Sequence, residues 1–308
     1  MKKPTVIVIC GPTASGKTAL SIELAKRVNG EIISADSMQI YKDMDIGSAK
    51  VTPNEMQGIK HYLIDCVLPS ERYSVANYKQ DAKNAIEEII KKGKTPIVVG
   101  GTGLYIDSLI YEIEYKDIQI NEEYRKELEK IRDEQGLEVL YKKALEIDPQ
   151  AMEKISPNDF KRITRVLEIY EATGKNKTEQ EAESRLNEIP YDYKVFAIDY
   201  DREKLYERIN KRVDIMLEKG LIEEVKNLLE KYSEFPTAMQ GLGYKEVKEY
   251  LGGELTKEEM IEKIKQESRR YAKRQFTWFR KNKQTIWLNG QSEIKENITS
   301  ILEEINIG

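Results

Sequence analysis

Gly11-Pro12-Thr13-Ala14-Ser15-Gly16-Lys17-Thr18 is the segment of this chain whose residue types and spacing point most directly to chemistry. It fits G-x-x-x-x-G-K-[ST]. In that pattern backbone N–H groups turn inward around a phosphate and the following helix adds the partial positive charge of its N-terminus. Lys17 supplies a full charge, and the hydroxyl of Thr18 is a ligand for Mg²⁺. The expected ligand is a di- or triphosphate; the alternative, a chance match on a tight turn, does not explain the strand-like and helix-like flanks. The motif does not state which bond breaks. A nucleotide hydrolase would add an acidic residue ending another strand and a group that positions water. The run PIVVGGTGLY at 96–105 ends instead in glycines and Thr102, with no acidic residue before Asp107. The carboxylate nearest the loop is Asp36, after the second strand-like run. It reads either as a turn or N-cap aspartate or as a general base, a role worth roughly 10²–10⁴ in rate.

Three further groups of cations stand out. In LYERINKRVDIML at 205–217, helical spacing puts Arg208 and Arg212 beside the apolar arc of Leu205, Ile209 and Val213, so the pair either snorkels along the core or reaches a diphosphate. After Ser156-Pro157-Asn158-Asp159, which reads as a helix start, Lys161, Arg162 and Arg165 share a polar side. From Ser268 to Lys283 the chain carries seven basic and no acidic residues, interleaved with Tyr271, Phe276, Trp278 and Phe279. That composition suits phosphate backbones and unstacked bases, or a helix whose aromatics pack inward.

These residues need a scaffold to position them. Residues 4–10, 31–36, 95–101, 194–200 and 285–288 are short apolar runs that read as buried strands, and 17–28 and 75–92 alternate with them as helices. Strand–helix alternation implies a parallel sheet covered on both faces. Residues 121–186 lack any strand-like run and read as helices broken at Gly136, Asp148-Pro149, Ser156-Pro157 and Gly174. The expected architecture is α/β, a P-loop NTPase-like parallel sheet core at 1–115 plus 190–308, with an all-helical insertion domain at 116–189.

Composition narrows the class. The chain has 308 residues, a formal charge of −4, two cysteines and one histidine. Neither a disulfide framework nor a zinc site is available from that inventory. The apolar run after Lys2 and Lys3 is only about seven residues long and leads into a motif that needs an ordered strand, so no secretory signal is expected. No stretch approaches the roughly 20 apolar residues of a membrane helix. A cytoplasmic monomer without membrane contact is expected.

Taken together, GPTASGKT at 11–18, SADSMQIYKDMDIGSAK at 34–50, HYLID at 61–65 and VGGTGLY at 99–105 resemble the bacterial tRNA dimethylallyltransferases, also called tRNA isopentenylpyrophosphate transferases. SPNDFKRITRVLEIY at 156–170, RINKRVDIMLEKGLIEEV at 208–225, QGLGYKE at 240–246 and RRYAKRQFTWFRKN at 269–282 continue the resemblance over nearly the whole chain. One departure is Gly241-Leu242, where the family pattern suggests Ala-Ile.

The resemblance implies transfer of a dimethylallyl group from dimethylallyl diphosphate to the exocyclic N⁶ amine of an adenosine. That adenosine lies just 3′ of the anticodon in tRNAs reading codons that begin with U. It implies that the loop from Gly11 to Thr18 holds the diphosphate, with Mg²⁺ on Thr18. Arg208 would join the clamp, with Arg202 or Arg212 as weaker candidates. Asp36 would accept the amine proton, Thr102 would help position adenine or diphosphate, and Asp36, Ser37, Met38 and Gln39 would surround the flipped base. Lys161, Arg162, Ile163, Thr164, Arg165 and Arg125 would hold the anticodon stem-loop. Rival readings are an adenylate isopentenyltransferase using free AMP, ADP or ATP, a P-loop small-molecule kinase, and an RNA-binding protein with a vestigial loop.

Overall fold

The computed structural model describes residues 3–114, 121–184 and 187–306. Six strands, β1 (Thr5–Cys10), β2 (Gly30–Ala35), β3 (His61–Tyr62), β4 (Thr95–Gly100), β5 (Asp192–Asp199) and β6 (Ile286–Asn289), form one sheet in the order β3-β2-β4-β1-β5-β6. All pairings are parallel. The apolar runs are continuous because both faces of the inner strands are covered. Ile7, Ile9, Ile32, Ile97, Phe196 and Ile198 point to one face, where the Lys17–Arg27 and Ile294–Asn306 helices pack. The opposite face, with Val6, Val8, Ile33 and Val98 fully or almost fully buried, takes the Val75–Lys91 helix. The two-residue β3 was not expected, being too short to carry a period.

The chain divides into two compact units, residues 1–110 with 190–308, and residues 111–189. The expected junction at 115–116 lies outside the described residues. Within the second unit, helices Glu122–Gln135, Leu137–Ile147, Pro149–Met152, Phe160–Thr173 and Lys177–Ser184 are the regular elements among the described residues. They pack around Leu128, Leu140, Ala144, Met152, Ile163 and Val166. Its breaks are local chemistry: Gly136 and Gly174 end helices at positive φ, and Asp148 caps the next helix through Ala151 N. No helix among the described residues is long and apolar enough to cross a membrane.

Parallel register is what assembles the site. Gly100 pairs with both Cys10 and Ala35, so β1, β4 and β2 end level with one another. The residues that follow, Gly11, Gly101 and Asp36, therefore emerge at one edge, where open α/β sheets bind ligands. A Cβ at Gly100 would lie 2.1 Å from Ala35 O, which explains the glycine at this crowded strand end.

Candidate active site

The loop after β1 leads into the Lys17–Arg27 helix through Gly16, an N-cap at φ 94° with no side-chain cap. The first amides of that helix are thus left to an outside acceptor. Lys17 Nζ folds back on the loop and donates to Gly11 O at 3.0 Å and Pro12 O at 2.7 Å. Burial and the neighbouring Arg212 guanidinium lower its pKa to about 8, against the opposing pull of Asp36. Arg208 Nε donates to Ala14 O at 2.7 Å.

Asp36 is both a turn residue and a cavity residue. Its Oδ1 accepts from Met38 N at 2.9 Å and Gln39 N at 3.3 Å, which fixes the carboxylate and leaves Oδ2 for another donor. Thr102 Oγ1 accepts from Ser37 N at 3.0 Å, so Thr102 acts by holding the Asp36–Gln39 turn to the end of β4. Gln39 Nε2 reaches the carbonyls of Ser48 and Ala49, at 3.4 and 3.3 Å. Met38 Sδ occupies the space a Cβ at residue 241 would need, coming within 2.5 Å, so the Gly241 departure makes room for it.

These groups line a cavity of about 680 Å³. Lys17, Arg208, Lys211, Arg212 and Arg274 line it, against a single carboxylate, Asp36. Ile209, Val213, Met216, Leu242 and Ile264 supply an apolar wall. Cations beside hydrocarbon suit a polyanion with an apolar tail. Ser37, Met38, Gln39 and every loop residue from Thr13 to Thr18 line the same space. Arg212 is drawn in further than helical spacing indicated. Its Nε is buried without a hydrogen-bond partner among the described residues, its Nη2 makes a long 3.5 Å bond to Ser48 O, and burial lowers its pKa. Arg202 lies instead over the ring of Tyr206.

Mg²⁺ fits this inventory as a weakly ligated ion. No group of three or more His, Cys, Asp or Glu that could hold a metal occurs among the described residues. The hydroxyl of Thr18, exposed in the cavity wall, offers one hard oxygen, and a hydrated Mg²⁺ shared with phosphate needs few more.

Sequence reasoning named Tyr271 only as one aromatic of the basic run and did not name Gln275. Gln275, 5% exposed, bonds to Thr13 N and Gly101 O, and Tyr271 lines the cavity, its hydroxyl pKa raised to about 12 chiefly by burial. Both lie on the Lys257–Phe279 helix, which begins well before the basic run and is opened by a Thr256–Glu259 capping box. The only available signal was their offset from the exposed lysines at helical spacing. The other aromatics of the run pack inward. Phe276 stacks on Trp287, Trp278 Nε1 donates to Asp107 Oδ2 at 2.9 Å, and Phe279 is buried.

In the second unit the structure corrects two expected RNA contacts. Ile163 is wholly buried in the helical core, and Thr164 is buried with its hydroxyl on Phe160 O and Lys161 O, so neither side chain is available to a ligand. Arg162 is exposed along the same helix, and Arg165 is half-buried, with Nη1 3.4 Å from Oε2 of the buried Glu168. Arg125 is committed to the buried Glu168, its Nε 2.8 Å from Oε1.

A family model described as IPP transferase matches residues 39–282. A tRNA dimethylallyltransferase of Acetivibrio thermocellus is 56% identical over 285 residues, 92% of this chain and 91% of its own length. The crystal structure of the full-length tRNA isopentenylpyrophosphate transferase of Bacillus halodurans is similar with a TM-score of 0.74 at 43% identity, covering 99% of this chain and 96% of that one. A eukaryotic dimethylallyltransferase, described as acting on tRNA, gives a TM-score of 0.79 at 35% identity, covering 98% of this chain and 77% of that one.

Proposed function

The chain belongs to the IPP transferase family of tRNA dimethylallyltransferases, and from that premise we propose that it transfers a dimethylallyl group from dimethylallyl diphosphate to N⁶ of an adenosine in tRNA, releasing diphosphate. The acceptor is the adenosine 3′ of the anticodon in tRNAs that read codons beginning with U. One observation carries the reading: a phosphate-type loop, five cations and an apolar wall share a single cavity with one carboxylate.

In this reading N⁶ attacks C1 of the dimethylallyl group. The C1–O bond breaks, its electron pair leaves with the diphosphate, and the N⁶ proton passes to Asp36 Oδ2. No water is activated, in keeping with a strand end at β4 that carries Gly101 and Thr102 rather than an acid. The loop amides, Lys17, Arg208 and Arg212 stabilise charge as it grows on the leaving diphosphate. Mg²⁺ held at Thr18 would neutralise part of that charge. Ile209, Val213, Met216, Leu242 and Ile264 exclude water from the hydrocarbon and shield the allylic carbon.

The base has to leave its stack, at a cost of a few kcal/mol that protein contacts offset. Ser37, Met38 and Gln39 receive it, with Thr102 keeping their turn in register. In the helical unit Lys161, Arg162 and Arg165 supply phosphate contacts to the anticodon arm. A single chain working in the cytoplasm completes the proposal. The test is transfer of label from dimethylallyl diphosphate to two acceptors in parallel, unmodified tRNA with an anticodon ending in A, and AMP. Label in tRNA alone is the expected result. Label in AMP alone would make the protein an adenylate prenyltransferase, and silence in both would reopen phosphoryl transfer from ATP.

A further inference from the structure

Glu224 stands in the first turn of the Leu221–Lys231 helix, a place where the helix dipole alone favours an acid. Its carboxylate nevertheless leaves that helix and crosses to the loop at 45–49. Oε2 accepts from Asp45 N at 2.9 Å and Ile46 N at 2.7 Å, and Oε1 accepts from Gly47 N at 3.0 Å. Three successive amides turned toward one point form an anion-binding concavity, here filled by the protein's own carboxylate. The buried Tyr244 extends the chain of contacts. Its hydroxyl donates to Glu224 Oε1 at 2.8 Å and accepts from Ser48 N at 3.2 Å. A Cβ at Gly47 would lie 2.5 Å from the Tyr244 ring, so the glycine lets the loop close on that phenol.

The other side of the same loop belongs to the cavity, which Gly47, Ser48 and Ala49 line. Ser48 O and Ala49 O accept from Gln39 Nε2 at 3.4 and 3.3 Å. With both carbonyls on the nitrogen end, the carboxamide is set with Oε1 as the end offered to an N–H donor. Both bonds are near the limit of hydrogen-bond length, so a small shift of the loop makes or breaks them. Arg212 Nη2 reaches Ser48 O only at 3.5 Å, a contact too long for the loop to steer the guanidinium. What Glu224 does to the loop is therefore felt at Gln39.

We infer that Glu224 is a positioning residue for the transfer: it holds the loop at 45–49 so that Ser48 O and Ala49 O orient the Gln39 carboxamide toward the acceptor base. It touches no substrate and acts through Gln39. The inference rests on the reading of Ser37, Met38 and Gln39 as the acceptor side of the site, and adds the group that keeps Gln39 in register. A loop cannot hold a recognition side chain by itself; here a helix and a buried phenol brace it from behind, the kind of support a precise site requires.

The test is a double-mutant cycle on single-turnover transfer to tRNA at saturating dimethylallyl diphosphate, paired with the side-chain NH₂ signal of Gln39 in the NMR spectrum of the full chain without tRNA. Glu224→Gln keeps the shape but turns one acceptor oxygen into a donor facing amide N–H groups. It should lower transfer by about 10- to 100-fold, the range of lost charge-assisted bonds, with diphosphate affinity within about threefold of wild type. In a Gln39→Ala background the same change should cost less than about threefold, because the group it acts through is gone. Tyr244→Phe removes the link to Ser48 N, should show the same dependence on Gln39 more weakly, and serves if Glu224→Gln does not fold. The Gln39 signal, assigned by its loss in Gln39→Ala, should shift in both variants. In a protein that transfers, an equal cost in both backgrounds marks a merely structural role and overturns the inference; so does no cost in either, or a Gln39 signal that does not move. A protein that labels no tRNA, but whose Gln39 signal responds to Glu224→Gln, would refute the proposed transfer while leaving this hold of Glu224 on Gln39 standing.

Discussion

Arg208 Nε donates to the carbonyl of Ala14, a non-glycine residue held at φ 62° in the loop after β1. That backbone conformation is disfavoured for alanine, and the guanidinium is one of the contacts that keeps it. Arg208 thus orders the loop from across the cavity as well as adding charge to it. Arg208→Ala should raise the Kd for dimethylallyl diphosphate by about 10- to 100-fold, the range of a lost charge-assisted bond, and leave tRNA affinity unchanged. Arg208→Lys should not rescue it, because an ammonium lacks the fork that reaches Ala14 O and the ligand together. Titration with diphosphate and with tRNA checks both.

Lys17 gives the donor site a pH dependence of definite sign. Burial and Arg212 lower its pKa to about 8, so the ligand-free cation is lost as pH rises through that value. A bound diphosphate favours the protonated amine and draws the proton back. Diphosphate affinity should therefore fall above about pH 8, with protons taken up on binding, whereas Lys17→Arg should bind with a flat profile because its guanidinium stays charged. Calorimetry at pH 8.5 in two buffers of different ionisation enthalpy reads the uptake directly; none in the wild type would sink the idea.

Asp36→Asn separates the two roles of that side chain. An asparagine carbonyl still accepts from Met38 N and Gln39 N, so the turn survives, but the proton acceptor at Oδ2 is gone. The rate of transfer should drop by roughly 10²–10⁴, with diphosphate affinity within about threefold of wild type. Near-normal single-turnover transfer would remove Asp36 from the proton path.

The sheet and the loop were legible because their signals are local. Continuous β-branched runs mark strands buried on both faces, and the Gly11–Thr18 spacing carries its own geometry. Gln275 was not legible, because its partner Thr13 lies 262 residues away and nothing near either residue encodes the pairing. The basic run at 268–283 left two readings open, since composition does not say which side of a helix each aromatic takes. Ile163 was misassigned although the signal was present. Ile163, Val166 and Leu167 recur at helical spacing and form the apolar stripe of the Phe160–Thr173 helix. Treating 161–165 as one contact block overrode that stripe.

The stripe also yields a contrast between neighbours on one helix. Ile163 is fully buried against the helical core, so Ile163→Ala should destabilise the second unit by about 2–5 kcal/mol. Arg162 is 67% exposed and pairs only loosely with Asp159, at 3.3 Å. Arg162→Ala should therefore change stability by less than about 0.5 kcal/mol. If the helix grips the anticodon arm, it is the arginine variants that weaken tRNA binding. Each of Arg162→Ala and Arg165→Ala should lower the slope of log K against log salt by about one. Denaturant unfolding and tRNA titrations at several salt concentrations separate the two effects. An unchanged salt slope in the double arginine variant would remove this face from the RNA interface.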